Sequence, residues 1–244
     1  MESHPLSDNP HRLWEEIWSK QRVCQPFQPP RLSDPIKENC LRFVCISDTH
    51  EKLGKVLAGI PPGDVLVHCG DFTNFGEAEE IKQFDLEMAQ LPHRHKIVVA
   101  GNHELGFEDG EDLALRDSKY VGRGTARGYE LLKNCVYLQD SSITELLECW
   151  KKIPDDVDVL LTHTPPLGHL DLFCGERWGC ADLLEAVEKR VKPKYHVFGH
   201  VHENPGCTTN GTTVFVNAAN CNNSLEPANP PIVFDLEIPK GFQK

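Results

Sequence analysis

Aspartate, asparagine and histidine recur in this sequence at the ends of apolar runs, where the backbone can present them to a common cleft. Five such runs end in Asp48-Thr49-His50, Gly70-Asp71, Gly101-Asn102-His103-Glu104, Thr162-His163 and Gly199-His200-Val201-His202. Their side chains offer carboxylate oxygen, amide oxygen and imidazole nitrogen, with no thiolate. That set suits Mn²⁺, Fe²⁺ or Zn²⁺ better than a structural zinc site built from cysteine. Asp48, His50, Asp71, Asn102, His163, His200 and His202 make seven potential ligands, too many for one ordinary cation and a match for two, with Asp71 bridging. Two cations roughly 3.5–4 Å apart can hold a shared hydroxide as nucleophile and polarise a phosphoryl group. The i,i+2 spacing of Asp48/His50 and of His200/His202 points each pair one way if the backbone there is extended. Gly70, Gly101 and Gly199 let the backbone approach such a cluster closely.

Each motif taken singly also has a plainer reading. Asp48/His50 alone reads as a surface turn, Gly70-Asp71 is weaker still, and Gly101-Asn102 is turn-prone. His163 alone reads as a hydrogen-bonded strand-end histidine, and only Gly199-His200-Val201-His202 has some specificity by itself. Their joint occurrence in this order, each at a strand end, favours a metal-dependent phosphoesterase. His68, inside an apolar run, and His93 and His95, around a turn, lack the pattern and read as structural.

The elements that must position these residues are mostly buried strands. Residues 41–47, 64–70, 96–100, 157–163 and 195–200 are β-branched and aromatic runs, and residues 212–216 and 232–236 supply late strands. Helical patterns fall at 52–58, 77–88, 129–133, 145–152 and 181–191, and a short strand at 135–138. Residues 105–124 are acidic and glycine-bearing and read as a loop with a broken helix. Apolar strands alternating with helices predict an α/β sheet architecture, with the ligand crevice at the carboxyl ends of the strands. Residues 1–40 form an uneven leader that wraps the domain or is partly mobile, and residues 41–240 form the domain proper. Within the leader, Leu13 to Trp18 suits a short amphipathic helix whose Trp14 and Trp18 act as packing anchors.

Composition narrows the function classes. The chain has 244 residues, with 25 basic against 37 acidic side chains and a formal net charge of -12. That balance argues against stable binding to nucleic acid, although cations would reverse the field locally. No apolar run approaches a membrane span, and the start lacks the pattern of a secretory signal, so the expected location is cytoplasmic with no membrane partner. The ten cysteines are scattered without CxxC pairing and read as reduced thiols. Asn210-Gly-Thr and Asn222-Asn-Ser therefore carry little weight as glycosylation signals.

The ordered series DTH, GD, GNHE, THTPP and GHVH resembles the calcineurin-like metallophosphoesterase superfamily. The stretches VLVHCGDFT, IVVAGNHE, VYLQDS, LLTHTPPLG, VFGHVHE and NPPIVFDL are similar to its small metallophosphoesterase-domain subgroup, and the likeness covers about residues 40–240. The resemblance implies a sandwich of two facing mixed β-sheets flanked by helices, with a dinuclear centre at the sheet edge. It implies Asp48, His50, Asp71 and His202 on one metal and Asp71, Asn102, His163 and His200 on the other. His103 would stabilise the transition state or protonate the leaving oxygen, with Glu104 orienting it. A relative in the subgroup has glycine at the first histidine of GHxH; His200 fills that place here, which implies stronger metal binding and activity. One departure stands out. Ser142-Ile143-Thr144-Glu145 runs almost directly into LLECW, where relatives carry a further strand and loop, so one strand and part of the pocket wall are expected to be missing between Asp140 and Trp150.

The leading expectation is thus a dinuclear metal-dependent phosphodiesterase acting on small phosphodiesters, nucleotides among them, with two divalent ions, Mn²⁺ before Fe²⁺ or Zn²⁺. The alternatives are a phosphomonoesterase or phosphoprotein phosphatase, and a metal-binding scaffold with little turnover.

Overall fold

Successive residues of the central strands enter two different apolar layers, and this alternation sets the architecture. The computed structural model describes residues 3–108, 118–139 and 150–244. Along the chain run α1 (Pro10–Glu16), β1 (Gln25–Pro26), β2 (Cys40–Ile46), α2 (Leu53–Val56), β3 (Val65–Cys69), α3 (Ala78–Ala89), β4 (His95–Val99), β5 (Val136–Tyr137) and β6 (Val159–Leu161). There follow β7 (Leu172–Phe173), β8 (Glu176–Arg177), α4 (Ala181–Ala186), β9 (Tyr195–Phe198), β10 (Gly206–Thr209), β11 (Val214–Asn217) and β12 (Ile232–Glu237). One sheet has the order β12-β2-β3-β4-β5 and the other β1-β10-β11-β9-β6, with β7 and β8 a separate hairpin. Parallel pairing joins β2 to β3, β3 to β4, β4 to β5, β6 to β9 and β9 to β11, while β12, β10 and β1 pair antiparallel. Both sheets are therefore mixed, as the sequence implies.

Phe43, Cys45, Val65, Val67 and Cys69 of one sheet meet Val197, Cys207 and Val216 of the other in the layer between the sheets. Their neighbours Val44, Ile46 and Leu66 turn outward to Ile81, Phe84 and Met88 of α3. On the far side, Leu160, Phe198 and Phe215 pack against α4 and the N-terminal helix. With both faces covered, the strands must be apolar throughout, which is why they read as continuous runs. Aromatic stacking continues through the middle layer: Phe234 of β12 lies 4.9 Å from Phe43 and 3.7 Å from Tyr195, centroid to centroid.

Local chemistry accounts for the helices. Glu77 and Glu80 form a capping box that starts α3, and Ile81, Phe84 and Met88 supply its buried stripe. Asn9 caps α1 by accepting from Arg12 N–H at 3.1 Å, with Pro10 at the first position. The helical pattern at 181–191 divides into α4 and a π-helical turn over Val187–Val191, which ends where the Lys192 N–H donates to the Val187 carbonyl. Tyr129 to Lys133, expected as helix, holds a short 3₁₀ turn over Gly128–Leu131. The late strand starts at Val214 rather than 212, because Asn210 Oδ1 accepts from the Thr212 and Thr213 N–H groups at 2.9 Å and holds them in a turn. Within the loop expected at 105–124, Ser118–Tyr120 form a 3₁₀ turn. Residues 109–117, residues 145–149 of the helix expected over 145–152, and the missing strand and loop expected at 141–149 lie outside the described residues, while 150–152 are helical. Among the described residues, no helix is long and apolar enough to cross a membrane.

The N-terminal helix is built into this core. Leu13, Trp14 and Trp18 bury against Leu183, Leu184 and Val187, and the Arg22 guanidinium sits 3.8 Å from the Trp18 ring while pairing with Glu185 and Glu188. Trp14 is 5% exposed and carries the Arg177 guanidinium 4.9 Å from its ring. Trp14→Ala should therefore lower unfolding free energy by about 3–5 kcal/mol in urea titration. A loss below ~1 kcal/mol would show that α1 is not part of the cooperative core.

Candidate metal centre

The strand ends deliver their polar residues to one place because the loops that follow them are zipped together. After β2, the Asp48 N–H donates to the Gly70 carbonyl at 2.9 Å and the His50 N–H to the Asp71 carbonyl at 3.0 Å. Ser47 joins the two sheets, with its N–H on Asn220 Oδ1 at 3.2 Å and a parallel bridge to Ala219. Asp48, His50, Asp71 and His200 all adopt positive φ, at 53°, 43°, 55° and 71°. Asp48 and His50 thus reach the cleft through a left-handed turn beyond the end of β2, and the extended-backbone rationale drawn from their spacing does not apply. Left-handed backbone at a non-glycine residue costs about 1–3 kcal/mol and persists where the surroundings over-determine it.

The donor atoms gather in two groups that share a border. In the first, Asp48 Oδ1 lies 3.1 Å from His202 Nε2, and Asp48, His50 and His202 present donor atoms within 4.8 Å of one another. In the second, His163 Nε2 lies 3.1 Å from Asn102 Oδ1, 3.2 Å from His200 Nδ1 and 3.2 Å from Asp71 Oδ2. Asp71 Oδ2 is also 3.9 Å from His50 Nε2, so this carboxylate stands between the groups. The structure thus brings all seven sequence-predicted ligands together, and His103 with them, since His50, Asp71 and His103 form a further overlapping trio.

This arrangement fits cations. His163 Nδ1–H donates to the Cys69 carbonyl at 2.8 Å, so in the neutral ring Nε2 carries a lone pair. That lone pair faces an amide oxygen, a carboxylate and a second imidazole nitrogen, an assembly that repels itself unless something positive lies inside. His202 Nδ1–H likewise donates to the Asn222 carbonyl at 3.1 Å, which turns Nε2 toward Asp48. Both nitrogens of His50 are buried without a hydrogen-bond partner, an arrangement that is costly unless a ligand completes it. A Cβ on Gly101 would run into Asp71 Oδ1, and one on Gly199 into Asp48 Oδ2, so both loops need glycine to come this near the carboxylates.

The electrostatics agree with a site made for positive charge. Burial opposes charging His163, yet the adjacent Asp71 carboxylate overrides it and pushes the imidazole up to about 10. Burial would raise the Asp71 carboxyl, but His163 and the other imidazoles hold it below the usual carboxylate range. Asp48 is likewise held down against burial, by its bond to His202 and the charge of His163. Burial lowers His50 to about 4. It lowers His200 to about 4 as well, with His163 adding to the effect.

One expected role comes out differently. Glu104 does not orient His103: one of its oxygens accepts from the Asp71 and Gly101 N–H groups at 2.8 and 2.7 Å, and the other from the Thr73 N–H and hydroxyl at 2.8 Å each. It is a clasp between the loops after β3 and β4. Burial and the nearby Asp71 charge push its carboxyl up to about 7 against the pull of these donors. His103 is held instead by the Asn74 carbonyl, to which its Nδ1–H donates at 2.7 Å, and by its own N–H on Asp71 Oδ1 at 2.9 Å. Sequence reading missed the carbonyls of Cys69, Asn74 and Asn222, since a peptide oxygen has no residue signature. Thr73, next but one after Asp71, was the accessible clue to the clasp. His68 is structural, buried with Nε2 2.9 Å from Thr49 Oγ1 and its ring against Phe72 and Phe84.

Comparison with known proteins places this geometry in a context. Residues 41–204 match the calcineurin-like phosphoesterase family. The Caenorhabditis elegans UPF0046 protein C25E10.12 is 49% identical over 98% of this chain and 96% of its own. That alignment spans 271 residues, more than the 244 of this chain, so the worm protein has residues inside the matched span with no counterpart here. Metallophosphoesterase domain-containing protein 1 of Homo sapiens is 41% identical over 88% of this chain and 79% of its own. The phosphopantetheinyl hydrolase of Mycobacterium tuberculosis shares the fold, with a TM-score of 0.51 at 16% identity over 85% of this chain and 99% of that one.

Glu104→Ala removes no predicted cation ligand but strands three N–H groups, two of them buried, in the two loops that carry Asp71 and Asn102. Metal affinity, read by chelator competition, should fall roughly 10- to 100-fold, while far-ultraviolet circular dichroism stays native. Unchanged affinity would refute the clasp.

Proposed function

This chain belongs to the calcineurin-like phosphoesterase family of metal-dependent phosphoester hydrolases, and on that premise we propose that it hydrolyses small phosphodiesters, nucleotide diesters among them. The observation that carries the reading is the position of Asp71, one carboxylate shared by two groups of donor atoms. Asp48, His50, Asp71 and His202 would hold one cation, and Asp71, Asn102, His163 and His200 the other. Once bound, two divalent cations supply the positive charge that polarises a phosphoryl group and activates water.

The chain's own residues do the rest. Because Asn74 offers only an acceptor to His103 Nδ1, that nitrogen keeps its hydrogen, and Nε2 is the position through which the ring, when protonated, can release a proton. His103 lies edge-on to His50 at 4.8 Å, beside the donor cluster, and is placed to hand this proton to the departing alkoxide. Asn102 contributes a neutral oxygen, which keeps a further carboxylate away from the anionic substrate. The charged groups that act most strongly on the ligands are carboxylates and imidazoles. Among the described residues no lysine or arginine takes that role, and the singly charged diester is a better match than the doubly charged monoester. The formal charge of -12 further disfavours polymeric nucleic acid as substrate.

Oxygen and imidazole donors suit Mn²⁺ first, with Fe²⁺ or Zn²⁺ as substitutes. The nine described cysteines are all free thiols, and burial raises Cys45 and Cys69 well above the usual range. Unreactive thiols of this kind support a reducing, cytoplasmic setting.

Stripping the protein of metal and restoring Mn²⁺ should produce turnover of bis(4-nitrophenyl) phosphate in preference to 4-nitrophenyl phosphate. Asp71→Ala should abolish both metal loading and turnover, whereas His103→Ala should keep the metal and lower kcat by roughly 10²- to 10⁴-fold. Hydrolysis of the monoester alone would overturn the diester reading, and equal inertness of the folded wild type and both variants with every metal would overturn catalysis.

A further inference from the structure

The β7–β8 hairpin carries an aromatic pair for which the hydrolytic machinery has no use. Trp178, just beyond β8, leaves 47% of its surface exposed. Its ring nevertheless lies 4.2 Å from Phe173 and 5.8 Å from the His200 imidazole, centroid to centroid. The protein buries its other tryptophans, Trp14, Trp18 and Trp150, almost completely. A broad indole left open beside a cation ligand forgoes stabilisation that burial would provide.

The hairpin is fixed at both ends. At its base the buried Asp171 carboxylate accepts from the Gly168 and Gly179 N–H groups at 3.0 and 3.1 Å and from Arg177 Nη1 at 2.6 Å, while the Trp178 N–H donates to the Asp171 carbonyl at 2.9 Å. At its tip Cys174 and Gly175 have φ of 49° and 85°, as a two-residue reversal with both central residues left-handed requires. Glu203 accepts from the Cys174 N–H at 2.9 Å, and Asn204 donates to the Leu172 carbonyl. Both follow directly on His202. The loop that bears two cation ligands thus also sets the position of the indole, and the open ring is preorganised relative to the phosphate site.

We propose that Trp178, backed by Phe173, stacks the nucleobase of a nucleotide whose phosphate lies at the Asp71, Asn102, His163 and His200 group. This rests on the diester reading above and narrows it: an indole beside His200 is about one sugar ring from the phosphate, where the base of a nucleotide falls. A flat π-face accepts any base, so the shelf selects for a base rather than for its identity.

The test uses the Mn²⁺-loaded protein and two substrates with one leaving group, adenosine 5′-(4-nitrophenyl phosphate) and methyl 4-nitrophenyl phosphate. Trp178→Ala should lower the ratio of their kcat/KM values, nucleotide over methyl, on the order of 10-fold, as expected for one lost base-stacking contact, with the loss in KM. Trp178→Phe should keep most of the ratio. Calorimetry with adenosine 5′-monophosphate and inorganic phosphate should show the same fall in relative affinity for Trp178→Ala, without any need for turnover. If both ratios are unchanged in Trp178→Ala, the shelf is refuted. If Trp178 governs the binding ratio but no diester is cleaved, the shelf stands and the diester reading falls.

Discussion

Everything in this molecule is arranged around a crowd of electron pairs that cannot share a space unaided. His163 Nε2, Asn102 Oδ1, His200 Nδ1 and Asp71 Oδ2 face one another at 3.1 to 3.2 Å from the His163 nitrogen, and one proton can satisfy only one of those contacts. The Cys69 carbonyl fixes the ring so that the lone pair cannot turn away. The raised affinity of His163 for a proton is the same demand expressed in water: whatever positive species is at hand is drawn in. A divalent cation would meet that demand more fully than a proton, because all four atoms could ligate it together.

Holding such a cluster costs backbone and side-chain freedom, and the fold meets the cost by rigidity on every side. Four candidate ligands sit in left-handed backbone, stabilised by bonds from the loop after β2 to the loop after β3 and by the Glu104 clasp between the loops after β3 and β4. Those loops emerge from strands packed on both faces, so their starting points scarcely move. The second sheet brings His163 and His200 from the opposite side, and the Ser47 bridge to Ala219 ties the sheets where the ligands begin. The proposed dinuclear centre at this border would need both sheets and belong to neither.

The same connectedness reaches the periphery. Trp14 of α1 carries Arg177, Arg177 bonds to Asp171, and Asp171 pins the base of the hairpin that holds Trp178 beside His200. The leading segment therefore supports one wall of the cleft from the far side of the second sheet.

Much of this was legible in the linear chain, for identifiable reasons. Strands buried on both faces must be apolar throughout, so β2, β3, β4 and β9 appear as unbroken runs, and each stops where polar residues become tolerable. Donor types follow from chemistry that tolerates few substitutes, which is why Asp48, His50, Asp71, Asn102, His163, His200 and His202 could be nominated as ligands by residue type and place, and the fold brings them together. Two-residue strands such as β1, β7 and β8 have no period to detect, and they exist because longer neighbours or a tight turn recruit them. Glu104 looked like a partner of the histidine beside it, whereas its carboxylate turned to N–H groups of loops remote in sequence. Trp178 gave no hint of its place, since its neighbour His200 is brought to it by the sheet and the hairpin together. The sequence by itself determined which atoms could bind a cation and which segments must be buried, because both depend on side-chain chemistry. Only the tertiary structure decided which atoms face one another and which carbonyl turns each imidazole, because those depend on distances between segments that the linear order leaves free.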